Sequence, residues 1–300
     1  MRRSSLVVAA TLVAAAASFT PAQAITGGEP DGDKHPNVGL LAFYADEDGT
    51  NYRFRCSGTL VTPTVVLTAA HCTDGIVGKT IVTFDSTLAQ NPPSPLPRAT
   101  DDPGDSTSKV GYTEDYPGYH EGTAYTHPDY SDFTDTSDWN DVGVVVLDEP
   151  VSGITPAALA PTNYLNAYAQ PALNKTIFTL VGYGTEVRKP ESGPQKPTPQ
   201  SYPLLRRVTT SNGQKLTPQI VQMNGNPSNV IAGGGTCFGD SGGPSFLNGY
   251  VTTVTSYGYT DNCRYIGGYQ RVDIPVVQDW LKTFGITPAI AAGSLTKAVK

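Results

Sequence analysis

The chain has 300 residues and a formal net charge of −7, with 27 acidic side chains against 20 basic ones. That balance argues against a nucleic-acid-binding protein, which needs a basic patch. Acidic runs such as Asp46-Glu47-Asp48, Asp101-Asp102 and the stretch from Asp132 to Asp141 read instead as solvated surface loops.

Residues 1–24 have the pattern of a secretory signal peptide. Arg2-Arg3 give a positive start, Leu6 to Ala17 are almost all apolar, and Ala22-Gln23-Ala24 is a small-x-small cleavage site. The apolar run is short for a bilayer span, and no other stretch is long enough to cross one. The expectation is a secreted, soluble protein with no membrane span. Removing the signal takes Arg2 and Arg3 with it and deepens the charge from −7 to −9. The remaining body of about 260 residues can bury the core of one large domain or two small ones.

Short runs rich in Val, Thr, Tyr and Ile then recur between turn residues. Val38–Tyr44, Tyr52–Val61, Val65–Thr68, Thr80–Phe84 and Val142–Leu147 read as strands of a first unit. A proline-marked break near 150–161 follows. Ile177–Val181, Tyr202–Thr209, Gly249–Thr255 and Gly268–Val272 read as strands of a second unit. Thirty-one glycines and 25 prolines supply the turns. One helix is predicted, Pro275 to Phe284: Val277, Trp280, Leu281 and Phe284 fall at i, i+3, i+4 and i+7, and Gly285 can cap it. Asn91–Pro97 and Lys189–Pro203, the second with five prolines, read as exposed irregular inserts. The tail from Ile286 to Lys300 is rich in small residues and reads as loosely attached. Periodicity therefore defines an all-β chain, a barrel or a sandwich, with a C-terminal helix.

Three stretches carry chemistry. Gly235-Thr236-Cys237-Phe238-Gly239-Asp240-Ser241-Gly242-Gly243-Pro244 sets a serine among glycines, which lets the backbone bend tightly and a substrate carbonyl approach. A serine nucleophile needs a base and donors for the oxyanion it creates. Leu67-Thr68-Ala69-Ala70-His71-Cys72 offers an imidazole, and Asn140-Asp141-Val142-Gly143 a carboxylate. Singly, each has a bland reading: a turn serine, a satisfied core histidine, a loop acid. Asp135 and Asp138 compete with Asp141, which is preferred because the buried run 142–147 follows at once. His35, His120 and His127 lie in loop-like or turn contexts without a neighbouring nucleophile. Four cysteines on an exported chain allow three pairings, and their lack of short paired spacing argues against a metal site.

The order His71, Asp141, Ser241, each in its context, resembles the chymotrypsin-like (trypsin-like) serine proteases, from about Ile25 to Phe284. The resemblance implies two antiparallel β-barrels, about 25–150 and 151–274, then the helix 275–284 and a tail 285–300, with the active site between the barrels. It implies Ser241 as nucleophile, His71 as base, Asp141 as its orienting carboxylate, and the amides of Gly239 and Ser241 as oxyanion hole. Ser256 matches the family serine that hydrogen-bonds the triad aspartate. The family pairing is Cys56 with Cys72 and Cys237 with Cys263. Ile25-Thr26-Gly27-Gly28 is similar to the family's mature start, whose freed amine pairs with the aspartate before the nucleophile, here Asp240. Signal cleavage after Ala24 would then make the active N-terminus without a separate propeptide. Gly143 stands where the family has alanine.

The resemblance also places Gly235 at the base of the primary pocket, Gly258 and Gly267 on its walls, Phe238 over the entrance and Tyr257 where a tryptophan is usual. With no aspartate at the base, a large apolar or aromatic residue is expected in preference to Lys or Arg. Substrates would be proteins or peptides, handled by a monomer without cofactor or metal. A catalytically silent binding protein and an esterase are the alternatives; the first is disfavoured because all three triad residues are present.

Overall fold

The computed structural model describes residues 25–47, 50–89, 94–97, 118–188, 198–200 and 204–290. The expected signal peptide, residues 91–93 of the first proline-rich insert, most of the second and residues 291–300 lie outside the described residues. The described part of the second insert, Thr198–Gln200, is not irregular as expected but pairs as a strand with Glu186–Arg188. Twelve strands make two barrels. The first comprises β1 (Val38–Glu47), β2 (Thr50–Thr62), β3 (Val65–Thr68), β4 (Thr80–Thr83), β5 (His120–Thr126) and β6 (Gly143–Leu147). They close in the order β1-β2-β3-β6-β5-β4, and every neighbour is antiparallel. The second comprises β7 (Ile177–Gly182), β8 (Arg207–Leu216), β9 (Ile220–Asn224), β10 (Pro244–Leu247), β11 (Tyr250–Gly258) and β12 (Ile266–Arg271). Its circuit, β7-β8-β9-β12-β11-β10, repeats the first, again antiparallel throughout. Closure leaves neither sheet an open edge.

The predicted strands are found, with shifted ends. Three were missed. β5 is half-buried and interrupted by Gly122, β9 is only five residues long, and β10 opens on Pro244. Proline is tolerated there because the first residue of a strand can do without a ladder donor. The run expected at 202–209 divides. Leu204–Leu205 pairs with Thr87–Ala89, and β8 starts at Arg207 and continues to Leu216. The helix, α2 (Pro275–Lys282), is two residues shorter than its apolar pattern. Thr283, Phe284 and Gly285 finish it with tighter i→i+3 bonds, and Gly285 takes φ +77°.

Each barrel has its own interior, with Leu41, Phe43, Leu60 and Val145 in the first and Leu165, Phe178, Leu180 and Met223 in the second. Between them, Leu67 and Val144 pack with Val251 and Val254 under Val277 and Leu281 of α2. On the opposite side Val38, Leu40, Val181 and Tyr183 meet. The fully buried Arg206 clamps this second seam. Its Nε donates to Asp31 at 2.9 Å, Nη1 to the carbonyls of Val38 and Phe84, and Nη2 to the carbonyl of Gly32. Such pairing is what makes a buried guanidinium tolerable.

Gly143 acquires a local explanation. A Cβ built there would lie 2.5 Å from Thr73 Oγ1 and 2.8 Å from the Ala69 carbonyl oxygen. Thr73 occupies the space that alanine would need. Gly143→Ala is expected to destabilise by about 1–3 kcal/mol through overpacking. Adding Thr73→Ala should make the pair less costly than the two singles combined, as read by thermal unfolding.

Candidate active site

His71 sits on α1 (Ala70–Thr73), a single turn between β3 and the rest of the first barrel, and Asp141 lies just before β6. Asn140 takes φ +43° to turn the chain into that strand, a conformation asparagine tolerates. The Asp141 side chain is fully buried, whereas that of His71 is 21% exposed. Asp141 Oδ2 lies 2.8 Å from His71 Nδ1 and accepts from Ser256 Oγ at 2.6 Å, and Oδ1 accepts the His71 backbone N–H at 2.9 Å. The Asp141 amide in turn donates to Gln270 Oε1 at 3.2 Å. The carboxylate requires Nδ1 to carry the proton, leaving Nε2 as the basic nitrogen. Burial works against a charged imidazole, but Asp141 and its hydrogen bond outweigh it, so His71 titrates above the ordinary 6.5. Asp135 and Asp138, the competing acids, are exposed, and Asp135 is engaged with Ser137.

Ser241 lies in the turn between Cys237 and β10. The Cys237 amide donates to Asp240 Oδ2, the Asp240 amide to the Cys237 carbonyl and the Gly243 amide to the Asp240 carbonyl. Gly242 and Thr255 close the other side. Among the described residues the amides of Gly239 and Ser241 donate to no protein acceptor. Gly239 has φ +92°, and a Cβ there would meet Arg55 Nε at 2.8 Å. Two orphan donors beside a serine hydroxyl are what an oxyanion requires. Ser241 and His71 line the same cleft, of about 230 Å³. No hydrogen bond joins Nε2 to Oγ among the described residues, as is common before substrate tightens a site.

A residue the sequence did not single out pins this loop to the first barrel. Ser57, fully buried on β2, donates through its amide to the Ser241 carbonyl at 2.8 Å and through Oγ to the Gly239 carbonyl at 2.9 Å. Its Oγ accepts the Tyr183 amide at 2.9 Å. Trp139, also passed over, donates from Nε1 to Ser256 Oγ at 2.9 Å. Both contacts join residues more than a hundred positions apart, and no local spacing announces them.

Gly235, Gly258, Gly267, Phe238 and Tyr257 all line the cleft. The three glycines differ. A Cβ at Gly258 would meet nothing within 4 Å, so its absence keeps that wall open. At Gly235 it would strike Gly225 Cα at 2.6 Å, and at Gly267 the Tyr269 hydroxyl at 2.9 Å. Those two are glycine because backbone or ring already fills the site. Phe238 is 55% exposed at the rim. Cys56 bonds Cys72 and Cys237 bonds Cys263, with Cα separations of 6.4 and 5.2 Å. The first bridge backs His71, and the second stands beside the pocket.

Ile25 is fully buried, and Thr26 pairs with Gly235, its Oγ1 donating to the Cys263 carbonyl. The N-terminal segment thus braces the pocket from behind. Asp240 is buried, and desolvation pushes its carboxyl up to about 7 despite the amides of Cys237 and Gly184 and the nearby Arg55.

Two closed barrels with a Ser, His and Asp assembled across their cleft define a chymotrypsin-like serine protease. The trypsin family profile matches residues 35–281, and the chain belongs to that family. Brachyurin of Leptuca pugilator is 29% identical over 242 residues, covering 78% of this chain and 89% of that protein. A trypsin of Saccharopolyspora erythraea is 28% identical over 247 residues, covering 78% and 86%. Among solved structures, "HL collagenase" superposes with a TM-score of 0.56 at 19% identity, covering 89% of this chain and 98% of that one. That last likeness concerns fold alone. The chain is a serine endopeptidase by family.

The imidazole gives a direct test. In a Ser241→Ala protein, NMR titration of the His71 ring is expected to show a midpoint above 6.5. Asp141→Asn removes both contributions that raise it and leaves burial, so the midpoint should fall below the ordinary value.

Proposed function

We propose that this protein is an exported endopeptidase that cleaves protein or peptide substrates through an acyl-enzyme on Ser241. The observation that carries the reading is the arrangement around Asp141. Its carboxylate holds His71 Nδ1, Ser241 lines the cleft onto which His71 opens, and the amides of Ser241 and of Gly239 two residues before it donate to no acceptor among the described residues. Ser241 Oγ attacks the scissile carbonyl as His71 Nε2 removes its proton. The carbonyl oxygen, now negative, is received by the amides of Gly239 and Ser241. His71 returns the proton to the leaving amine, and water, deprotonated by the same nitrogen, later releases the acid. Asp141 keeps the ring's tautomer and stabilises the imidazolium.

The pocket favours a large apolar or aromatic residue. Gly235 supplies no carboxylate at its base, and Gly258 leaves one wall open. Phe238, Tyr257, Tyr259 and Tyr265 give apolar walls and rim. Asp261 also lines the cleft, but it is exposed and so lacks the buried charge that would select Lys or Arg. Export and activation coincide in this reading. Cleavage after Ala24 frees the Ile25 amine, and its ammonium pairs with the buried Asp240.

Three outcomes test the proposal. An organophosphorus serine reagent should label Ser241, and Ser241→Ala should reduce kcat on the order of 10⁶-fold. Phe or Tyr substrates should be cleaved faster than Arg ones; the reverse order refutes the pocket assignment. Secreted protein should begin at Ile25, and it should be more stable at neutral pH than a chain retaining residues before it. The sign follows from Asp240: without the ammonium, a carboxyl raised by burial from 3.8 to about 7 stabilises only while protonated, and that stability is lost as pH rises through 7. The difference between the two chains should therefore shrink as pH falls below that value.

A further inference from the structure

Trp139 stands two residues before Asp141, yet it reaches across to the second barrel. Its Nε1 lies 2.9 Å from Ser256 Oγ, and Ser256 Oγ lies 2.6 Å from Asp141 Oδ2. Hydrogen counting fixes the direction of both contacts. An indole N–H can only donate, and an ionised carboxylate can only accept. A hydroxyl has one hydrogen to give. Since Trp139 donates to Ser256 Oγ, that oxygen is an acceptor on one side, and its own hydrogen goes to Asp141. Hydrogen bonds in such a series polarise one another. The indole is itself held, with Phe133 and Tyr257 each 5.2 Å from its ring. Those contacts also give the ring a plain packing role against Phe133 and Tyr257, which line the cleft.

We propose that Trp139 is a positioning residue, whose indole N–H commits the Ser256 hydroxyl to Asp141 and so sets the carboxylate that holds His71. The proposal rests on the triad reading above. It adds a member that no histidine–aspartate–serine pattern contains, and it explains why a tryptophan occupies an otherwise acidic, exposed loop between Asp138 and Asn140.

Trp139→Phe keeps an aromatic ring against Phe133 and Tyr257 and removes the N–H donor. With the Ser256 hydrogen bond weakened, charge on Asp141 is less dispersed and its attraction for the imidazolium grows. The acid limb of kcat/KM should move to higher pH, and kcat should fall roughly two- to fivefold, with KM little changed. In a Ser256→Ala background the same substitution should alter neither quantity, because the partner it acts through is gone. The other ionisable groups about Asp141 are His71 and Tyr130, with Asp132 and Asp74 farther out, and burial first, then Asp141, raises the phenol above its ordinary range. None of these is altered by the substitution.

Three results overturn the proposal: an unmoved acid limb, a rise in KM alone, or effects of Trp139→Phe and Ser256→Ala that multiply. Failure of the triad reading is distinguishable, since it appears as loss of Ser241 labelling in the unsubstituted protein. The His71 ring titration in the Ser241→Ala protein then decides without hydrolysis: Trp139→Phe should raise its midpoint, and an unchanged midpoint rejects the role.

Discussion

A charged carboxylate with no access to water is among the most expensive things a fold can bury. Asp141 is such a group, and the rest of the architecture can be read as the means of supplying its donors. The His71 amide and ring come from α1 in the first barrel, and the Ser256 hydroxyl comes from β11 in the second. The first barrel reaches both oxygens through His71, and the second adds a further donor to Oδ2. Docking of the two barrels completes the donor set of Asp141, and the apolar seam of Leu67, Val144, Val251 and Val254 supplies the driving force for it. The geometry of the candidate site and the stability of the interface are one constraint.

The opposite side of the interface solves the same problem with the charges exchanged. Arg206 is buried, and its guanidinium is spent on Asp31, three carbonyls and the Tyr183 hydroxyl. The two solutions differ in consequence. Arg206 is buried with all three of its nitrogens donating, so it holds a position. Asp141 sits behind a ring that is partly exposed, and its bond to that ring sets a protonation state. Between them Ser57 fastens the Ser241 turn to β2 through both its amide and its hydroxyl. The turn's two free amides are thereby oriented by the first barrel, although the turn belongs to the second.

What was legible in the sequence was local. The runs 65–68 and 142–147 are apolar and β-branched, and both are strands. The segment around Ser241 is legible because its backbone is unusual: Gly239 and Gly242 have positive φ, and each such position demands glycine in the sequence itself. What escaped is long-range or short. Ser57 and Trp139 act on residues more than a hundred positions away. The Asp31–Arg206 pair spans 175 positions, and neither partner stands in a recognisable pattern. Strands of four or five residues such as β9 and β10 carry too few alternations to be told from turns.

The pocket shows the same limit more sharply. A glycine in a sequence says only that no side chain is there. It does not say whether the space is empty or already taken. Gly258, Gly235 and Gly267 look equivalent on paper, yet only the first faces open space; the others are pressed against Gly225 and Tyr269. The breadth of the cleft is thus set by backbone packing between β12, the turn after β9 and the N-terminal segment at Thr26, which pairs with Gly235. Enlarging the cleft by substitution is consequently not possible at these two positions, and a side chain introduced at Gly235 would have to move backbone before it could contact a substrate. On the proposed reading, selectivity follows from how three distant segments pack, and the chemistry proposed for Ser241 depends on that packing through the braced turn they share.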